Sequence, residues 1–172
     1  MKLSRLAISL VTVSALSACV NLKDVDNDWC GPESQPVKQE QVTLAADALF
    51  QFDKSNPSDL LAEGKKTLDE LVTKITEGYA TVDRIDLVGH TDRLGTEAYN
   101  YNLGLNRAKT VKAYLEQGGI SAPISVASAG ESQPVTKDCV GERATPALTA
   151  CLQPDRRVTV AITGIRKPTA KK

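Results

Sequence analysis

A two-layer α/β (α+β) sandwich is the fold class the sequence predicts, and three observations predict it. Apolar residues alternate with a period of two from Val42, recur at helical spacing over two later stretches, and alternate again from Arg157 to Thr163. The resulting order is β-α-β-α-β, then a segment bracketed by Cys139 and Cys151 with a possible helix, then β. Strands interleaved with amphipathic helices bury both kinds of apolar face against each other. The expectation is therefore a mixed sheet with helices packed on one face.

Each element has its own signal. The first strand is read from Val42, with Leu44, Ala46, Ala48, Phe50 and Phe52 inward and Thr43, Ala45, Asp47, Leu49 and Gln51 outward. Pro57-Ser58-Asp59 opens a helix, in which Leu60, Leu61, Gly64, Leu68, Leu71, Val72 and Ile75 recur at helical spacing until Gly78. A second strand spans about Val82 to Val88, with Ile85 and Leu87 as core candidates. Thr96 can cap the next helix, and Glu97 suits the positive end of its dipole. Tyr101, Leu105, Ala108 and Leu115 line one side of that helix, and Gly118-Gly119 stops it. Ile124 to Ala129 makes a short third strand. In the last, Val158, Val160 and Ile162 point inward while Arg157, Thr159 and Thr163 point outward.

The first 18 residues read as an export signal rather than as part of the fold. Lys2 and Arg5 form a positive n-region, and Leu6 to Leu16 is an apolar h-region too short to span a bilayer. Leu16-Ser17-Ala18-Cys19 resembles a bacterial lipobox, which implies cleavage before Cys19 and its lipidation. Several acyl chains on one residue hold far more firmly than one, because each buried methylene adds about 0.8 kcal/mol. Val20 follows the cysteine where an aspartate would signal retention. By resemblance to lipoprotein sorting, that points to the outer membrane, with the chain facing the periplasm.

Residues 19–41 form the lipidated amino terminus and a polar tether, 42–166 the folded domain, and 167–172 a basic tail. The tether would span about 25 Å as a random coil and about 70 Å stretched. Loss of residues 1–18 removes Lys2 and Arg5, which leaves 19 basic residues against 21 acidic ones. Such a chain has no basic field for nucleic acid. A metal site has little support either, since His90 is the only histidine and no CxxC occurs. No cofactor is called for.

The most informative stretch runs from Val88 to Leu115. It contains Gly-His-Thr-Asp ending at Asp92, then Gly95, then Asn100-x-x-Leu, then Arg107-Ala-x-x-Val111-x-x-x-Leu115. This pattern is similar to the peptidoglycan-binding domain of the OmpA family, shared by OmpA, Pal and MotB. The resemblance covers about residues 42 to 164 and implies the same two-layer architecture. Gly130-Glu-Ser-x-Pro-Val and Pro154-Asp-Arg-Arg-Val, flanking the cysteine pair, extend it. Members of the family often carry a cysteine pair here, which implies a Cys139–Cys151 disulfide. Read from export and spacing alone, two unpaired structural cysteines stay open as the alternative. On the chain-entropy account such a bond stabilises by about 3 kcal/mol. Cys30 is left over, either as a free thiol or paired between chains.

Asn100 and Arg107, seven residues apart on a helix, lie within about 20° of one another and about 10 Å apart along the axis. An acid and a guanidinium converging on one cleft can grip a ligand that carries ammonium and carboxylate on the same carbon. Arginine suits the carboxylate because its planar fork makes two parallel charge-assisted hydrogen bonds. The resemblance implies that the ligand is meso-diaminopimelate of the peptidoglycan stem peptide. Asp92 would then take the ammonium and Arg107 the carboxylate, with Thr91, Asn100 and Arg156 close by. Whether Arg156 or Arg157 faces the site depends on strand register. A plain Asp92–Arg107 salt bridge is the structural alternative, and Asn100 could instead decorate a solvated face.

Gly104 stands where serine is common in the family, and glycine inside a helix costs about 1 kcal/mol relative to alanine. Asp155 stands in place of a frequent asparagine. His90 reads as a structural side chain and not as a general base. The functional expectation is a non-catalytic tether between outer membrane and cell wall. The alternative is a regulatory lipoprotein with a periplasmic protein partner, for which the segment Val20 to Gln41, with Trp29, would be the handle. A wall-cleaving enzyme using Cys30 and His90 has little support, because Cys30 lies outside the folded domain.

Overall fold

The structure, a computed structural model, describes residues 36–168. β1 (Lys38–Ala45), β2 (Tyr79–His90), β3 (Ile124–Gly130) and β4 (Arg157–Arg166) form one sheet in the order β1-β4-β2-β3. β4 is antiparallel to both neighbours and β3 is parallel to β2, so the sheet is mixed as expected. A parallel pair requires a crossover, and α3 (Glu97–Gln117) supplies it. α2 (Ala62–Gly78) lies on the same face.

One core joins the two layers. Leu68, Leu71 and Ile75 of α2 and Ala108, Val111 and Leu115 of α3 meet Ile85, Leu87, Val158, Val160 and Ile162 of the sheet. Burying side chains of this size stabilises by about 1.5–3 kcal/mol each, which is why the helical and strand periods carry the fold. Thr96 caps α3 by accepting the Tyr99 amide at 3.3 Å, and Gly119, at φ +87°, lets the chain leave the helix. Gly104 faces Gly89 of β2 so closely that a Cβ on Gly89 would stand 1.9 Å from the Gly104 carbonyl oxygen. A Cβ on Gly104 would itself stand 2.6 Å from Ser128 Oγ and 3.0 Å from the Gly89 carbonyl oxygen, so both glycines permit close packing of α3 on β2, which propensity alone does not predict.

The first strand differs from the expectation. β1 begins at Lys38, within the stretch read as tether, and it ends at Ala45. The alternation cannot continue because β4 begins at Arg157, the partner of Ala45, and offers no ladder beyond it. The chain instead makes the helical turn α1 (Ala46–Leu49). The turn changes the side-chain period, so Leu49, expected outward, is fully buried and Phe52, expected inward, is 78% exposed. In α3 the buried stripe runs through Asn100, Gly104, Arg107, Val111 and Leu115, and Tyr101 lies off it, exposed.

The cysteine-bracketed segment carries α4 (Pro146–Cys151), capped by Thr145. Cys139 and Cys151 are bonded, with Cα atoms 5.7 Å apart. Arg157, expected outward, does lie on the sheet face opposite the core, yet it is buried. Its guanidinium donates to the carbonyls of Asp155 (3.2 Å) and Gln133 (3.0 Å). Asp155 in turn accepts from the Val135 and Thr136 amides and the Thr136 hydroxyl, stitching residues 133–136 to the start of β4. Burial pushes the Asp155 carboxyl up, but these hydrogen bonds outweigh it and hold the group below the usual range. The export signal, Cys19, Trp29 and Cys30 lie outside the described residues.

Candidate functional site

The carboxyl ends of β1, β2 and β3 and the amino end of β4 meet at one end of the sheet. The site is built there. Asp92 follows β2, and its Oδ1 accepts the Leu94 amide at 2.9 Å, a short turn that fixes the carboxylate before α3 starts. Asn100 and Arg107 project from the buried stripe of α3. Arg156 immediately precedes β4. Asp47 comes from α1, and Asp53 from the following turn, where it sits at φ +59°.

Thr91, Asp92, Asn100, Arg107 and Arg156 all line one cavity of about 130 Å³, together with Asp47, Asp53, Tyr99, Ala144 and Thr149. The adjacent arginines separate by strand parity: Arg156 faces this cavity, and Arg157 turns to the other side of the sheet.

Arg156 organises the acidic side of the cavity. Its Nη1 donates to Asp92 Oδ2 at 2.7 Å and to the Thr149 carbonyl at 3.0 Å. Its Nε donates to both Asp47 oxygens, at 3.0 and 3.1 Å, and its Nη2 to Asp47 Oδ2 at 2.6 Å. The bonds to Asp47, ahead of those to Asp92, hold the guanidinium firmly protonated against its own burial. Asp92 therefore pairs with Arg156, and the alternative Asp92–Arg107 bridge does not form.

Arg107 is differently placed. It is 3% exposed, and its Nε donates to the Lys54 carbonyl at 2.9 Å. Its guanidinium lies 5.8 Å from the centre of the Phe50 ring. Its Nη1 is buried without a hydrogen-bond partner, as is the Thr91 hydroxyl. Burial lowers its affinity for its proton, although nearby Asp47 and Asp53 oppose this. A buried charged donor without an acceptor is costly, and such donors mark places where a ligand acceptor fits.

Asn100 is buried, not on a solvated face, and its amide donates to Glu131. Tyr99 donates to Asp53 at 2.5 Å. The cavity thus holds three carboxylates, from Asp47, Asp53 and Asp92, against the two guanidiniums. Asp47 and Asp53 escaped the sequence reading because strand alternation placed Asp47 outward and nothing marked Asp53. The positive φ of Asp53 is their one local signature, and it belongs to the folded backbone.

His90 is buried but does not line the cavity; its Nε2 contacts Thr159 Oγ1 at 3.3 Å. Burial, reinforced by Arg157, lowers its pKa to about 4. Among the described residues no group of three or more His, Cys, Asp or Glu is placed to hold a metal ion.

A mixed sheet backed by two helices, with an acid-and-arginine cavity at the carboxyl ends of its strands, defines the class. The OmpA family matches residues 49–145, more than half of the chain, and the chain belongs to that family. It is 40% identical over 133 residues to outer membrane protein A of Klebsiella pneumoniae, covering 76% of this chain and 38% of that protein. Against outer membrane protein A of Shimwellia blattae it is 39% identical over 131 residues, covering 75% of this chain and 53% of that protein. The chain thus spans about half the length, or less, of these relatives. Among solved structures, the periplasmic domain of Helicobacter pylori MotB (residues 97–256) has the same fold, with TM-score 0.57 and 18% identity over 78% of this chain and 86% of that one. The OmpA-like domain of FopA1 from Francisella tularensis gives TM-score 0.52 and 19% identity, covering 81% of this chain and 80% of that one.

Proposed function

We propose that this protein is an outer-membrane lipoprotein whose domain binds peptidoglycan through the zwitterionic end of meso-diaminopimelate, without catalysis. The observation that carries this reading is Arg107 Nη1, buried and unpartnered like the Thr91 hydroxyl, with both residues lining a cavity that also holds Asp92. A carboxylate entering there would give the guanidinium its missing acceptor. The ammonium on the same carbon would then face Asp92, whose orientation Arg156 already fixes at 2.7 Å. Binding so oriented loses little entropy in ordering the protein groups. The names of the curated relatives support an outer-membrane setting, and the Leu16–Cys19 motif supports the lipid anchor. An anchor that keeps the domain close to a repeating wall ligand raises the effective concentration and makes modest affinity sufficient.

The test is co-sedimentation of residues 19–172 with diaminopimelate-type peptidoglycan, with lysine-type peptidoglycan as the control. The unmodified sequence should pellet with the former alone, and Asp92→Asn and Arg107→Ala should stay in the supernatant. Equal pelleting by both variants would remove the zwitterion clamp. No pelleting by any form would shift the weight to a protein partner.

A further inference from the structure

We infer that the segment closed by Cys139 and Cys151 is a positioning element of the ligand cavity, held against it by Arg93, so that breaking the disulfide weakens zwitterion binding. This rests on the binding reading above. Two residues of the segment, Ala144 and Thr149, form part of the cavity wall. The Thr149 carbonyl accepts from Arg156 Nη1, the same nitrogen that holds Asp92 Oδ2. From the other side Arg93, the chain neighbour of Asp92, donates through Nη2 to the carbonyls of Cys139 (2.7 Å) and Gly141 (2.9 Å). Asp92 is therefore tied to the segment twice, once along the chain and once through Arg156.

Little else holds the segment. Residues 141–147 are exposed, Val140 is 92% exposed, and within α4 only Leu148 is buried. With so little apolar burial, the covalent bond supplies most of the restraint on its conformational entropy. Once the bond is broken, the Thr149 carbonyl and the Arg93 contacts no longer share one rigid frame. Arg156 and Asp92 then lose the fixed orientation that makes binding entropically cheap.

The experiment is calorimetric titration of meso-diaminopimelate into residues 19–172 in oxidised form, after dithiothreitol, and as the Cys139→Ser/Cys151→Ser double variant. The dithiol supplies two electrons and two protons: the sulfur–sulfur bond breaks, each cysteine becomes a thiol, and the reagent closes to a cyclic disulfide. The reduced protein and the double variant should both bind about tenfold more weakly, with thermal unfolding still cooperative and well above the titration temperature. Arg93→Ala should weaken binding about threefold, and Arg93→Lys should recover most of it, because an ammonium can still reach both carbonyls. Hydrogen exchange of the Leu94 amide, which bonds to Asp92 Oδ1, gives a ligand-independent readout and should accelerate on reduction. Unchanged affinity and unchanged Leu94 exchange would overturn the inference, as would an affinity loss that merely tracks global unfolding. Faster Leu94 exchange with no diaminopimelate binding in any form would sustain the positioning role and remove the ligand reading.

Discussion

At one end of the sheet Arg156 bridges Asp47 and Asp92; at the other, Arg166 and Lys74 share Glu40, which also accepts the Tyr79 hydroxyl at 2.7 Å. The ion pairs are alike in chemistry and unlike in solvent. The Arg156 and Asp92 side chains are 10% and 11% exposed, whereas Arg166 and Lys74 are 49% and 38% exposed. Titration does not follow that contrast, because each end also buries one titratable ring. At the site end burial keeps His90 neutral down to about pH 4, and at the far end burial, with Glu40, keeps Tyr79 protonated up to about pH 12. What separates the ends is their unmet hydrogen bonds. Of the four buried side-chain polar atoms without partners among the described residues, three belong to His90, Thr91 and Arg107 at the site end. The far network is a solvated clasp. The near one is a rigid frame around donors that the fold leaves unanswered.

The largest expected effect breaks that frame. Arg156→Ala leaves Asp47 and Asp92 close together without their cation, and it should cost about 3 kcal/mol in urea unfolding. Glu40→Ala at the far end should cost under about 1 kcal/mol, since exposed pairs contribute little. Equal costs would erase the distinction between the two ends.

The second effect concerns pH. The folded-state pKa of His90, about 4, lies below its ordinary value of 6.5, so the unfolded chain takes up the proton first. Its contribution is present above pH 6.5 and is lost as pH falls from 6.5 toward 4, by up to about 3 kcal/mol. The check is an imidazole titration by NMR beside thermal melts across that range. A ring that protonates near pH 6.5 with no loss of stability would show that its surroundings do not oppose the charge.

The smallest effect on stability should come from Arg107→Met. Methionine fills the same apolar bed against Phe50 and removes a buried, half-satisfied cation. Stability should stay within about 1 kcal/mol of the parent by urea unfolding, while binding to diaminopimelate-type peptidoglycan disappears. A large loss of stability would make Arg107 part of the structural frame, as Arg156 is.

Much of this was open to reading in the chain. The two helices and the last three strands announce themselves by period, because burial selects side chains at fixed intervals within one element. Thr91, Asp92, Asn100 and Arg107 stand in a motif whose spacing survives folding, since a short turn and one helix hold them all. Arg156 was ambiguous with Arg157 because one step along a strand reverses the face, and only pairing with β1 and β2 sets the parity. Asp47 was misplaced for a related reason. Its partner Arg156 lies 109 residues away, and the alternation that put it outward stops opposite the residue at which β4 begins.

The sequence by itself determined the order of elements, the core faces of α2 and β4, and the residues of the turn-and-helix motif, because each depends on contacts within one short segment or one repeating period. Tertiary structure alone decided where β1 stops, why Gly104 must be small, that Phe52 is exposed, and that Asp92 answers to Arg156 instead of Arg107. Those outcomes depend on which strands lie side by side and how closely a helix approaches them. Distance through space, and not along the chain, sets the strength of a charge pair and the cost of a Cβ.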